Sequence, residues 1–254
     1  MPKLSARKVL VVLLIPVLLY LVYFAGTWGL ADVYARPAIN TLKEWQKGKK
    51  EFEEEDWQRL QGNLKKAIEL DPTNPDINLW LGKVIEGPYA NVGLRKSIAK
   101  DARLKAADYY RESIRLRPTW PFAWIDLAMV KYRLFEIDDE FFHAVRQSMY
   151  HGPWEPDILR VVSEFGMVLW KILDENNREF FLTTTRRAFQ HISKPHVKAL
   201  KAAVVKRNFL DRLCESTADN VPLTEFCKQE KMVLGLKWSV IPITPVEDET
   251  LKVE

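Results

Sequence analysis

A pair of prolines separated by two residues recurs three times in the chain, and this repeat constrains the fold more than any other feature. The pairs are Pro72 and Pro75, Pro118 and Pro121, and Pro153 and Pro156. Their first members lie 46 and 35 positions apart. Proline stops a preceding helix and is tolerated in the first turn of a following one, so each pair predicts a turn between two helices. The spacing therefore predicts a series of helical hairpins.

The residues around the proline pairs repeat as well. Ala-Ile-Glu-Leu-Asp (67–71) precedes the first pair, and Ser-Ile-Arg-Leu-Arg (113–117) precedes the second. After the pairs come Leu-Gly (81–82) and Leu-Ala (127–128), in which a small residue lets a second helix approach closely. This pattern resembles the tetratricopeptide repeat (TPR), a stacking helical hairpin of about 34 residues. The resemblance covers residues 42–190 and implies an all-α fold, a TPR-like superhelix of three to four hairpins.

The end of the repeat region departs from the motif. In the fourth unit, roughly residues 156–190, Val162 and Ser163 occupy the Leu-Gly positions. Terminal repeats are often atypical because they cap the stack. Residues 191–235 are expected to form C-terminal capping helices, among them one over 197–213. An extended or disordered tail is expected over 236–254.

An uncharged run precedes the repeats. From Val9 to Ala31, 23 consecutive residues carry no charge. As a helix at about 1.5 Å per residue the run reaches roughly 35 Å, enough to cross a hydrocarbon core of about 30 Å. It follows a short basic tail (1–8), and a linker is expected over 32–41. A retained transmembrane anchor is favoured because a cleaved signal peptide, the alternative, has a shorter apolar region of about 7–15 residues.

The charge distribution bears on orientation and on partners. Residues 1–31 hold three basic and no acidic residues, which leaves 35 basic and 34 acidic residues in the rest of the chain. A nearly neutral domain gives no indication of nucleic-acid binding. The basic tail favours an N-terminus in the cytoplasm and a domain across the membrane, although basic residues also follow the span. A cytosolic domain, as in an outer-mitochondrial receptor, is the alternative.

Stacked hairpins present a concave surface formed mainly by their first helices, and a mixed polar and apolar groove of this type suits a peptide or a partner helix. The alternative is that some of these side chains face solvent or lie under the chain's own end. By register, the predicted partner-binding groove consists of Asp76, Leu79, Lys83, Phe122, Ile125, Met129, Arg133, Arg160 and Glu164.

Cys214 and Cys227 are the only cysteines and lie 13 positions apart. Outside the cytoplasm they could form one disulfide, which would add about 3 kcal/mol in the chain-entropy model. Two reduced, buried thiols are the alternative.

The sequence contains no pattern that points to catalysis or to a cofactor. The four histidines lack metal-ligand spacing, and no nucleophile elbow, P-loop or dinucleotide-binding motif occurs. We therefore predict no catalytic residue, no metal and no small-molecule cofactor.

Twelve extra residues in the second unit, around 88–99, form either a binding loop or a longer connection.

An anchor followed by a TPR-like domain resembles the VpsP-like bacterial polysaccharide biosynthesis proteins. The resemblance rests on the anchor, the helix around Trp45, the AIELDP segment (67–72) and the overall length. It implies a non-catalytic adaptor in the bacterial inner membrane, with a periplasmic TPR-like domain. Its partners would be other envelope membrane proteins of an exopolysaccharide synthesis or export system. The alternatives are an anchored chaperone or assembly factor for secretion or cytochrome maturation, and a polysaccharide-active enzyme.

Overall fold

The computed structural model describes residues 6–46, 53–89, 97–191, 194–215 and 220–233. Within these ranges every regular element is a helix, which confirms the all-α prediction. The chain divides into two compact units, residues 1–151 and 152–254. Of the expected insertion at 88–99, residues 90–96 lie outside the described ranges, as does the expected tail at 236–254.

The first unit begins with one long helix, α1 (Ala6–Gln46). Its apolar side chains from Leu10 to Leu30 are largely exposed. Further along, Ala31, Ala35, Ala38 and Leu42 are buried. These residues recur at helical spacing, so they form one face against which a neighbouring helix packs. The residues expected to form a linker, 32–41, are instead part of α1, because the stripe of small residues packs this part of the helix against the next one.

Five further helices complete the first unit. They are α2 (Glu54–Leu70), α3 (Pro75–Glu86), α4 (Ser97–Leu116), α5 (Pro121–Leu134) and α6 (Asp139–His151). A short 3-10 turn, Gly87–Tyr89, follows α3. The helices pack as consecutive antiparallel hairpins, α1 with α2, α3 with α4 and α5 with α6, and α4 also packs on α5. This is the TPR-like arrangement that the proline pairs predict.

The proline pairs act as the sequence predicts. Pro75 and Pro121 are the first residues of α3 and α5, where a missing backbone N–H costs nothing. The side chain of Asn74 caps α3 by accepting a hydrogen bond from the backbone N–H of Asp76 at 3.0 Å. Capping of this kind typically contributes about 1 kcal/mol to helix stability. The hairpin boundaries are therefore encoded locally.

The second unit contains another helical hairpin and further helices that pack on it. Helix α7 (Pro156–Leu169) packs along α8 (Glu175–His191), with a 3-10 turn, Trp170–Ile172, between them. Helix α9 (Lys194–Lys206) packs on α7, and α11 (Val221–Val233) packs on α8. α7 and α8 approach closely at Gly166, where an added Cβ would lie 2.5 Å from Phe181 Cβ. The sequence motif had placed the small residue at Ser163, three positions earlier.

The helix expected over 197–213 is interrupted. Asn208 has a φ of 51°, in the left-handed region, and it separates α9 from the short α10 (Leu210–Cys214). A positive φ ends an α-helix, and asparagine is among the residues that tolerate it best. Cys214, at the end of α10, is joined to Cys227 of α11 by a disulfide, with their Cα atoms 5.9 Å apart. The disulfide therefore joins α10 to α11 covalently.

Candidate partner-binding site

The first and third helices of the first unit border a cleft of about 340 Å³. Its wall on the α1 side comes from residues that follow the exposed apolar stretch, and its other wall comes from the start of α3. The lining residues are Asp32, Ala35, Arg36, Ile39, Asn40, Lys43, Asn74, Asp76, Ile77 and Trp80. The cleft is open to solvent and combines apolar, amide and charged side chains, as a peptide-binding groove does.

Trp80 is the main aromatic surface of this cleft, which we call the α1–α3 cleft. Its ring is half-buried. The Nζ of Lys43 lies 5.3 Å from the ring centroid and that of Lys83 lies 5.4 Å away, both within range of a cation–π interaction. The ring of Trp80 can contact a partner's apolar side chain, and Lys43, which lines the cleft, can pair with a partner's carboxylate. Such a site suits the binding of a protein chain.

All five charged residues of the predicted groove have intramolecular partners. Asp76 forms an ion pair with Arg117, which lies in the turn after α4. The Nζ of Lys83 lies 2.7 Å from Asp126 Oδ2 of α5. The first pair ties α3 to the turn between the second and third hairpins, and the second pair joins α3 to α5, so these side chains help to hold the stack together.

The remaining members of the predicted groove divide between core and surface. Leu79 and Ile125 are buried, at 4% and 6% exposure, so neither offers an exposed contact. Phe122 and Met129 are half-buried on α5. Of all the predicted groove residues only Asp76 lines the α1–α3 cleft.

Arg160 and Glu164 belong to α7 in the second unit. Arg160 Nη1 donates a hydrogen bond to Glu164 Oε1 at 2.7 Å, one helical turn away. The two form a local pair within α7.

A buried network of hydrogen bonds and ion pairs lies around Glu86, the last residue of α3. Glu86 is only 5% exposed and pairs with Arg133 of α5. The hydroxyl of Tyr110 donates to Glu86 Oε2 at 3.3 Å, and Arg103 Nη2 donates to the carbonyl of Tyr89 at 2.9 Å. Burial raises the pKa of Tyr110 well above its usual value, and the nearby carboxylates raise it further. The network ties α3, α4 and α5 together and keeps the cleft's second wall in place.

A second cluster holds the turn between α5 and α6. The Nζ of Lys131 lies 3.1 Å from Glu136, 2.9 Å from Asp138 and 2.8 Å from Glu140. Burial opposes the charge on Lys131, but the carboxylates outweigh it and raise the pKa of the lysine. A hydrogen bond from Arg111 is the main cause that lowers the pKa of Glu140 to about 2, and Lys131 adds to it. The cluster is structural.

Sequence reasoning missed the contribution of α1 to the cleft. Asn40 falls in the segment predicted as a linker, 32–41, and Lys43 falls just after it, so neither was assigned to the predicted groove. Trp80 and Trp124 are both half-buried. The Nε1 of Trp124 donates to the carbonyl of Pro118 at 2.7 Å. The indole N–H of each ring favours such a position, with one edge packed and the other near polar groups.

A second cleft, of about 590 Å³, lies between α2 and α4, the second helices of their hairpins. Trp57, Tyr89, Ile98 and Tyr109 supply much of its apolar lining.

No three His, Cys, Asp or Glu side chains are grouped to hold a metal ion in the part of the chain that the structure describes.

No protein-family model matches the sequence, and no curated protein matches it. Among solved structures, the chain is similar to the MamA protein, with a TM-score of 0.45 and 15% identity over 87% of this chain and 98% of MamA. It is also similar to pilF of Pseudomonas aeruginosa, with a TM-score of 0.36 and 13% identity over 83% of this chain and 94% of that chain.

Proposed function

We propose that this protein is a membrane-anchored adaptor whose α1–α3 cleft binds another protein of the cell envelope. The observation that carries the proposal is that α1 serves two purposes. One part of the helix exposes apolar residues over a length and composition suited to crossing a bilayer, and the part that follows lines the cleft. A partner bound in this cleft would be held close to the membrane surface.

Further features support the location and the pathway. The Cys214–Cys227 disulfide suits an oxidising compartment, and with the basic tail it supports a periplasmic domain behind an inner-membrane anchor. The assignment to exopolysaccharide synthesis or export rests on the sequence resemblance to VpsP-like proteins.

The test of the cleft is site-specific photocrosslinking of the full chain in its native membrane. A photoreactive amino acid replaces Asn40, which lines the cleft, or Lys100, an exposed residue of α4 outside it. We expect adducts with a defined membrane protein from position 40 and few from position 100. Equal yields from both positions would contradict a partner site in the cleft.

The identity of the crosslinked protein tests the pathway. A glycosyltransferase or a polysaccharide exporter supports the proposed system. A heterogeneous set of secreted clients indicates the chaperone function instead.

The side of the membrane is tested by labelling Asp139→Cys, on an exposed residue, with an impermeant maleimide. Labelling in spheroplasts before lysis supports a periplasmic domain, and labelling only after lysis contradicts it.

A further inference from the structure

The turns that connect the hairpins of the first unit lie at the end of the helices where α1 leaves its exposed apolar stretch. The Nζ of Lys66, near the end of α2, lies 5.6 Å from the ring centroid of Tyr34. Asn74 and Asp76, at the start of α3, line the same cleft as Asp32 and Arg36 of α1. The turn between α2 and α3 is therefore level with the first residues of α1 beyond the apolar run.

The next turn belongs to the same edge. Arg117, in the turn between α4 and α5, forms its ion pair with Asp76 at the start of α3. Residues 71–76 and 117–120 thus form one continuous surface beside α1, which we call the turn edge. Its exposed residues include Pro72, Pro118 and Thr119.

The position of the turn edge along α1 corresponds to the headgroup layer of a bilayer. Leu30 is the last exposed apolar residue of the uncharged run. At about 1.5 Å per residue, Asp32 lies about 3 Å beyond it along α1 and Arg36 about 9 Å. The headgroup region of one leaflet is roughly 5–7 Å thick. A helix that crosses the hydrocarbon core up to Leu30 would place the turn edge at the phospholipid headgroups.

Trp120 gives this edge the chemistry of an interfacial anchor. The ring is 37% exposed and lies at the end of the turn. The guanidinium of Arg117 lies 4.5 Å from the ring centroid, and the ring of Phe122 lies 5.3 Å from it. Tryptophan is enriched at membrane–water interfaces because its ring is apolar while its N–H is polar.

We infer that the turn edge of the first unit lies on the phospholipid headgroup layer, with Trp120 inserted among the headgroups. This inference rests on the proposed membrane span of α1. Asp76 neutralises Arg117, so contact depends on the aromatic ring and is equally strong on zwitterionic and anionic phospholipid. The contact fixes the helical hairpins upright on the bilayer and sets the height of the α1–α3 cleft.

The test uses the full chain in phosphatidylcholine vesicles under non-reducing conditions, where the native cysteines remain in their disulfide. A single fluorophore is attached at Thr119→Cys in the turn edge, at Asp139→Cys or at Val22→Cys. Asp139 begins α6, at the far end of α5 from Trp120. Spin-labelled phospholipids quench the fluorophore according to its depth.

We expect deep quenching at position 22, shallow quenching at position 119, and several-fold weaker quenching at position 139. Replacing Trp120→Ala should reduce the quenching at position 119, whereas Phe135→Ala, at an exposed aromatic residue of the far end, should leave it unchanged. Adding phosphatidylglycerol should leave the pattern unchanged.

The outcomes distinguish the headgroup contact of the turn edge from the membrane span of α1. Deep quenching at position 22 with equally weak quenching at 119 and 139 would overturn the headgroup contact while leaving the span in place. An absence of deep quenching at position 22 would overturn both. Quenching at position 119 that appears only with phosphatidylglycerol would overturn the role given to Trp120.

Discussion

The ring of Tyr110 occupies the space that a side chain at position 82 would need. A Cβ added to Gly82 would lie 2.6 Å from Tyr110 Cε1 and 2.9 Å from Cδ1. Tyr110 is 1% exposed and its hydroxyl is bound to Glu86, so the ring has little freedom to move. This contact sets the distance between α3 and α4 and therefore the geometry of the second hairpin.

Gly82→Ala should destabilise the protein by about 1–3 kcal/mol, the usual cost of overpacking a core. The clash outweighs the helix-propensity gain of up to about 1 kcal/mol that alanine otherwise has over glycine. The measurement is the free energy of unfolding by denaturant. Gly62→Ala in α2 is the matched control, because a Cβ there meets nothing within 4 Å. It should be neutral or stabilising; equal destabilisation by both variants would refute the packing argument.

The Glu86–Arg133 pair predicts a second stability effect. Arg133→Met would leave the carboxylate of Glu86 buried without its main charge partner, at a cost of about 2–3 kcal/mol. This is below the range for a fully buried pair because Arg133 is 30% exposed. Adding Glu86→Leu should recover part of the loss, since no buried charge then remains.

The control for this prediction is Arg115→Met, which removes an ion pair with Glu112 on the exposed face of α4. Exposed pairs of this type contribute little to stability. Unfolding free energies are compared for the single and double variants. A double variant as unstable as the sum of the two single ones would show that the two residues do not act as a pair.

The hairpins could be predicted from the sequence because their signals are local. Proline at the start of α3 and α5 and small residues seven positions later act within one helix or on its nearest neighbour. The groove could not be predicted in the same way. The partners Arg117 and Asp76 are 41 positions apart, and Arg133 and Glu86 are 47 apart, so only the folded stack brings them together.

The role of α1 was missed for a different physical reason. The stripe of Ala31, Ala35, Ala38 and Leu42 is amphipathic, but it continues an apolar run without a break, so the composition of the run obscures it. The change from exposed apolar side chains to buried small ones occurs inside one helix. The recurrence of small residues at helical spacing is the signal in the sequence that the first hairpin begins within α1.

The ion pairs of Glu140 predict a decrease in stability with acid. Its pKa is about 2 in the folded protein, chiefly because of Arg111, against about 4.3 for an unperturbed glutamate. The unfolded chain therefore binds the proton first as the pH falls. The contribution of Glu140 is fully present above about pH 4.3 and is lost progressively toward pH 2.

Glu140→Gln should remove this part of the pH dependence and flatten the plot of unfolding free energy between about pH 4.5 and 2.5. Asp139→Asn, at an exposed neighbouring carboxylate, is the matched control and should keep the slope of the unmodified protein. The difference between the two profiles is the measured quantity. Profiles with the same slope would show that the pair with Arg111 has no influence on folding.

The disulfide predicts a local loss of stability in the second unit. Cys214 and Cys227 are both buried and close a loop of 13 positions, so replacing both with alanine should cost about 3 kcal/mol. Amide hydrogen exchange should accelerate in α10 and α11 and stay unchanged in α3 to α5, because these helices belong to the other unit. Reduction of the unmodified protein should give the same pattern. Acceleration spread equally over both units would instead indicate that the chain unfolds as a single cooperative body.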